Sequence, residues 1–259
     1  MGIPQEFEAL GFVSNPVGTH GCRSITLEEV RTLFSIIQPD TGYPDIQRLI
    51  IDENILGKRT IASRKVSARR LREFYGLDPT LHVYSALRLL WDNDPEEQPM
   101  LAILCASARD PVLRESSSIV LPWPEGESLP KVKLEQTLKA VYPGRYSDSA
   151  IESIVRRLLS SWTQSGHLSE RTRKSRVRAF SGPASVAYAL YLSYLTGARG
   201  QALFESAWID YLDLSSDMIH ALAFDASKRG WIDYRNAGGI VDVGFNGIIQ
   251  ESSTEGRWG

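Results

Sequence analysis

Lys65, Arg69 and Arg72 stand at i, i+4 and i+7, the spacing that lines side chains along one stripe of an α-helix. A stripe of cations binds polyanions: each phosphate it neutralises releases condensed counterions, and arginine also forks onto phosphate oxygens or guanine edges. The stripe belongs to a wider basic window. Asn54 to Gly76 carries Lys58, Arg59, Arg64, Lys65, Arg69, Arg70 and Arg72 against Glu73, a net charge of +6. A second window, Arg156 to Arg178, carries Arg156, Arg157, Arg171, Arg173, Lys174, Arg176 and Arg178 against Glu170, again +6. The whole chain of 259 residues has a formal charge of only −2, so the remainder carries −14. Gln201 to Gly259 alone has 4 basic and 9 acidic residues. Charge is segregated along the chain, and the fourteen cations of the two windows are the candidate nucleic-acid contacts, with double-stranded DNA as the expected partner.

Other chemistries find less support. Gly57-Lys58-Arg59-Thr60 resembles the end of a phosphate-binding loop, but position 52 is Asp52 where the first glycine belongs, and helical patterns surround it. No GxSxG, HExxH or strand-to-helix GxGxxG pattern occurs. Cys22 and Cys105 are far apart, and His20-Gly21-Cys22 offers two zinc ligands of the four required, so it reads as a turn. The expectation is a protein without cofactor, metal or catalytic centre. No apolar run approaches the roughly 20 residues of a membrane span; Pro183 to Leu195, interrupted by Ser185 and Ser193, reads as a buried helix. The first twenty residues lack the pattern of a secretory signal, and a cytoplasmic location is expected.

The elements that must hold these residues read as mainly helical. From Thr26 to Ser118 the pattern is a series of short helices, the first opening on a capping box at Thr26-Leu27-Glu28-Glu29 with Leu27, Val30, Phe34 and Ile37 inward. Asp78-Pro79, Asp94-Pro95 and Asp110-Pro111 recur every 16 residues, and each supplies an N-cap acceptor before a proline suited to the first helical turn. Ile61 to Tyr75 is expected as one helix with Ile61, Ala68, Leu71 and Tyr75 toward the core, the basic stripe outward, and helix-turn-helix character. Residues 119–146, with Pro122, Pro124, Pro130 and Pro143, read as a connector in which Trp123 packs on a neighbouring domain.

Beyond the connector, helix followed by hairpin occurs twice. Ser149 to Glu152 forms a capping box; Ile151, Ile154, Val155, Leu158, Leu159 and Trp162 make the buried face, and Gly166 ends the helix. His167 to Ser169 and Arg176 to Phe180 are then expected to pair around the basic tip Glu170 to Ser175. The second unit starts at Ser215, with Ile219, Leu222, Ala223 and Ala226 inward, Gly230 as the stop, strands at Trp231 to Tyr234 and Ile240 to Phe245, and a turn at Asn236 to Gly239. This order gives a winged-helix character. Asp225, Asp233 and Asp242 make the second unit unsuited to phosphate and better suited to a protein-facing or purely structural role. The domain plan is therefore an N-terminal tail (1–24), a helical domain (25–118), the connector (119–146), a winged-helix-like domain with short β-hairpins (147–249) and a C-terminal tail (250–259).

Glu53-Asn54-Ile55-Leu56-Gly57-Lys58-Arg59-Thr60 before an Arg-rich helix, the helical array, Leu158 to Leu168, and the late Gly230-Trp231-Ile232 before a terminal hairpin together resemble the BrxA family of the BREX phage-defence systems. The likeness spans most of residues 25 to 249 and rests on segment order and short matches. It implies a small, mainly helical, non-catalytic DNA-binding component that works beside other defence-system proteins. The family's inner-membrane label finds no spanning segment here. The alternative is a protein-interaction scaffold whose basic windows dock acidic partners.

Overall fold

A computed structural model describes residues 3–15, 24–169 and 173–249, and the architecture is mainly helical. Ten α-helices are described: α1 (Leu27–Phe34), α2 (Tyr43–Ile51), α3 (Ile61–Tyr75), α4 (His82–Trp91), α5 (Gln98–Arg109), α6 (Pro111–Val120), α7 (Lys131–Val141), α8 (Asp148–Gln164), α9 (Pro183–Leu195) and α10 (Ser216–Lys228). A two-stranded antiparallel sheet, β1 (Asp233–Ala237) and β2 (Ile240–Gly244), follows α10. No described helix is long and apolar enough to cross a membrane.

Two helices form the centre. Residues 100–108 of α5 are all buried, and in α9 every residue from Ala184 to Ser193 is buried, so neither helix has a polar face. Such all-round burial requires neighbours on every side: α5 meets α3, α4, α6, α8 and α9, while α9 also meets α4 and α10. The buried apolar residues form one cluster from Ile3 to Ile248, so the core does not divide at the domain boundaries expected from sequence. The segment 119–146 belongs to the body too, because α7 packs Leu134 and Leu138 on α6 and α8. Trp123 is half-buried against the same core.

One buried carboxylate ties the halves together. Glu97, 1% exposed, accepts from the amides of Gly182 (3.1 Å), Ala184 (3.3 Å) and Ser185 (2.6 Å) at the start of α9. The side chain satisfies orphan amides at the positive end of the helix dipole. Gly182 is required at this join, since a Cβ there would lie 2.6 Å from the Glu97 carboxyl carbon.

Several caps differ from expectation. Thr26 makes no side-chain cap; its backbone is left-handed (φ 51°), and the Leu27 amide is instead capped by Gln164 Oε1 of α8 at 2.9 Å. A distant side chain has taken the place of the local box. Of the three Asp-Pro pairs, only Asp110 caps a helix, accepting from Val112 and Leu113. Asp78 and Asp94 close turns onto the amides of Thr80 and Glu96, and α4 and α5 begin later. Asp side chains stabilise such turns as readily as helix starts. At α8 the cap is Ser147, which accepts from the Ala150 amide at 3.3 Å, two residues before the expected box. The apolar face of α8 is buried as its spacing requires.

The two helix-hairpin units differ in substance. After α8 only isolated bridges form among the described residues, Leu168 with Arg176 and Ser128 with Ser175, so Ser128 of the expected connector pairs into the first unit; the tip at 170–172 lies outside the described residues. After α10 a full hairpin forms, with Ala237 paired to Ile240 across Gly238-Gly239, both at positive φ (60° and 81°). Two such residues suit a two-residue hairpin turn, a role glycine fills without strain. Its first strand lies later than expected, because Gly230 and Trp231 bond back to α10.

Candidate nucleic-acid interface

The geometry of the first basic window begins with its caps. Thr60 Oγ1 accepts from the Ser63 amide (3.1 Å) while Ser63 Oγ accepts from the Thr60 amide (3.3 Å), a reciprocal box that starts α3 at Ile61. Gly76, at φ 86°, ends it. Arg109 of α5 then donates to the carbonyls of Glu73 (2.9 Å) and Gly11 (2.6 Å), covering the negative end of the helix. Ser67, Ala68, Leu71, Phe74 and Tyr75 face inward, and the Tyr75 hydroxyl donates to the Ile25 carbonyl at 2.6 Å. The helix is thus fixed at both ends and along its inner face. Its outer face is rigidly presented.

That outer face holds Lys65, Arg69 and Arg72, all exposed, with Arg59 exposed just before the helix. Among the described residues, none of these four pairs with a carboxylate; the Arg72 guanidinium instead lies over the Tyr43 ring of α2, 4.2 Å from its centroid. Ile61 departs from its expected inward place: it is 60% exposed and extends the same stripe at i−4 from Lys65. Being the first residue of α3, it lies before the part of the helix that packs on the core. The remaining cations of the window are spent within the protein. Lys58 pairs with Glu29 at 2.7 Å. Arg64 donates to the carbonyls of Ile51 (3.0 Å) and Lys58 (3.4 Å), closing the connection between α2 and α3. Arg70, 4% exposed, pairs with Glu73 at 2.5 Å and is not a surface contact. Its position half a helical turn from the exposed stripe puts it on the packed side.

The second window is organised around Arg176, which is 4% exposed and likewise unavailable at the surface. Its guanidinium donates to the carbonyls of Val120 (3.0 Å), Leu121 (3.4 Å), His167 (3.3 Å) and Val177 and pairs with Asp213. It caps the C-terminus of α6, whose last turn has no cation of its own. Asp213 completes the clasp by accepting from the Ala179 amide at 3.1 Å. Of the rest, Arg156 is 3.7 Å from Glu152 and Arg178 is 3.6 Å from Glu125, both as exposed pairs. Arg157 and Lys174 are half-buried, Arg173 is exposed, and Arg171 lies outside the described residues.

His167 sits beside this clasp with no exposed surface. Its Nδ1 is 2.8 Å from Ser165 Oγ, and its Nε2 donates to the Tyr211 carbonyl at 2.8 Å. Burial pushes its pKa down to about 4, outweighing the nearby Asp213 carboxylate and the Tyr211 carbonyl, which favour the proton; Arg176 disfavours it. The ring is therefore neutral at pH 7, and its 3.9 Å approach to Asp213 is not an ion pair. Ser165, His167 and Asp213 come together as one network, in which the His167 ring is fully buried. Cys105 is buried, and burial pushes its thiol up to about 11, which makes it a poor nucleophile. No cluster of metal-ligating side chains is present among the described residues, and His20-Gly21-Cys22 lies outside them.

Sequence reasoning passed over Tyr43, whose ring under Arg72 comes from another helix and leaves no local signal. It also placed Ile61 toward the core, although continuing the stripe by one step back from Lys65 puts it outward. The chain matches no protein-family model and no curated protein.

Proposed function

We propose that the chain is a non-catalytic double-stranded-DNA-binding component of a BREX-like bacterial phage-defence system. The supporting observation is the outward face of α3, where Arg59, Lys65, Arg69 and Arg72 are exposed without a carboxylate partner among the described residues. Cations carried on a helix already fixed to the core meet phosphates with no backbone left to order, so only their side chains lose freedom on docking. In this reading α2 and α3 act as a helix-turn-helix-like pair with a long connection at 52–60, and α3 is the helix that meets DNA. The exposed cations of the second window, Arg156, Arg173 and Arg178, add weaker contacts, since two of them already have carboxylate neighbours. The α10 helix and the β1-β2 hairpin form a winged-helix-like unit turned toward other defence-system proteins. Its exposed Met218, Phe224 and Ile240, beside Asp217 and Asp242, suit a protein surface better than a phosphate backbone.

The test is fluorescence anisotropy of a labelled random-sequence duplex across salt, with an acidic protein as competitor. Four phosphate contacts give a log-log salt slope of about −3.6. Arg69→Glu/Arg72→Glu should weaken binding at least about tenfold with circular dichroism unchanged. Equal affinity of wild type and variant, or displacement of DNA by the acidic protein at matched concentration, overturns the reading in favour of a scaffold that docks acidic partners.

A further inference from the structure

A cavity of about 530 Å³ lies between the end of α6 and the 3₁₀ turn Ile209–Leu212, away from the basic helix. Its volume falls within the range of small-ligand sites. Leu121, Pro122, Ile209 and Leu214 supply apolar wall, and Ser117, Ser118, Asp210 and Asp213 supply the polar groups. The two carboxylates differ. Asp213 is already neutralised by Arg176 and holds the Ala179 amide. Asp210 is exposed, with neither an ion pair nor a side-chain hydrogen bond among the described residues, and the desolvation it does undergo raises its pKa. The hydroxyls of Ser117 and Ser118 donate to the carbonyls of Arg114 (2.7 Å) and Glu115 (2.8 Å), which leaves them lone pairs that can accept from a ligand. The cavity thus offers acceptors, one negative charge without a counter-ion among the described residues, and an apolar wall.

We infer that this cavity binds a primary ammonium group carried on an apolar chain, with Asp210 as its counter-ion and Ser117 and Ser118 as further acceptors. An ammonium has three N–H donors and no acceptor, which matches this set. A free alkylamine and a lysine side chain of a partner protein share this chemistry.

Titration of the ¹⁵N-labelled full chain with hexylamine, with acetyl-lysine methylamide and with hexyltrimethylammonium tests it by chemical-shift change and Kd. Hexylamine binding that shifts the amides of residues 207–214 and 117–121 supports the inference; binding of the lysine analogue supports it too and assigns the ligand to a partner's side chain. The trimethyl compound, lacking N–H donors, should bind at least about tenfold more weakly. Asp210→Asn should weaken hexylamine by about twofold to fivefold with the fold intact, and Ala207→Trp, at an exposed lining position, should block the cavity without touching the charge. No shift with either amine, equal binding of the trimethyl compound, or unchanged Kd in both variants overturns it.

Discussion

The two basic windows carry the same net charge in the sequence and use it in opposite ways. The α3 window directs Lys65, Arg69 and Arg72 outward, with Arg59 beside them, and spends Lys58, Arg64 and Arg70 on its own connections. The second window places Arg176 at its centre, as a core part that caps α6 and holds Asp213. What separates them is the need of neighbouring backbone. The end of α6 has no cation in its last turn, and Arg176 reaches it from a strand-like segment. The end of α3 is served by Arg109 from α5, which leaves its own arginines free. A basic run is therefore a surface only where its helix ends are satisfied by something else.

Removing Arg176 should produce the largest effect. Arg176→Met leaves Asp213 without its counter-ion and takes the guanidinium from the Val120 and Leu121 carbonyls, of which Val120 keeps the Trp123 amide at 3.3 Å, and breaking a buried pair from one side costs about 3 to 5 kcal/mol. Urea denaturation should show that loss. Arg69→Glu, on the exposed stripe, should change stability by less than about 0.5 kcal/mol. If the two variants were equally stable, the division into core and surface cations would fail.

Next comes the pH dependence of the same clasp. His167 has a folded pKa of about 4 against 6.5 in the unfolded chain, so the unfolded state takes up the proton first. Its contribution is neutral in effect above about pH 6.5, becomes destabilising as pH falls, and amounts to about 3 kcal/mol of lost stability by pH 4. Asp213 and Arg176 are the charged groups facing the ring, with the Tyr211 carbonyl on Nε2. Comparing stability at pH 7 and pH 4.5 in wild type and His167→Gln should show a shallower acid loss in the variant. Identical slopes would remove His167 from the account. The α3 window, with no histidine, should show no matching change.

A third comparison concerns DNA. Arg69→Glu/Arg72→Glu should lower duplex affinity at least about tenfold, while Arg156→Glu/Arg173→Glu should lower it by less than about threefold, because Arg156 already has Glu152 nearby. The reverse order would make the second window the principal contact surface.

Much of the fold was legible. The periodicity of α8, the extent of α3 and the all-round apolar run of α9 each follow from spacing within the element itself. Interactions between distant residues were not legible. Gln164 caps α1, Glu97 caps α9 and Arg176 caps α6, and in each case the partner is set by packing rather than by a motif. The same reason hid the shared core: nothing local to α5 or α9 says that they pack on each other. Of the candidate site, the outward stripe on α3 could be read from helix geometry, whereas the burial of Arg70 and Arg176 depended on which carboxylates and carbonyls the fold brought to them.

The smallest expected effect separates charge from positioning within the exposed stripe. Arg72 lies over Tyr43, and such a cation–π contact at an exposed site contributes about 0.5 to 1 kcal/mol. If the ring serves to hold Arg72 in place for a phosphate, Tyr43→Leu should weaken duplex binding by about twofold to fivefold. The number of phosphates contacted would stay the same, so the salt slope should not change. Lys65→Ala removes a contact, and there the slope should become shallower by about 0.9. Measuring both variants across the same salt series distinguishes the roles: a shallower slope in Tyr43→Leu would mean that Arg72 loses its phosphate without the ring, and an unchanged slope in Lys65→Ala would take Lys65 out of the interface.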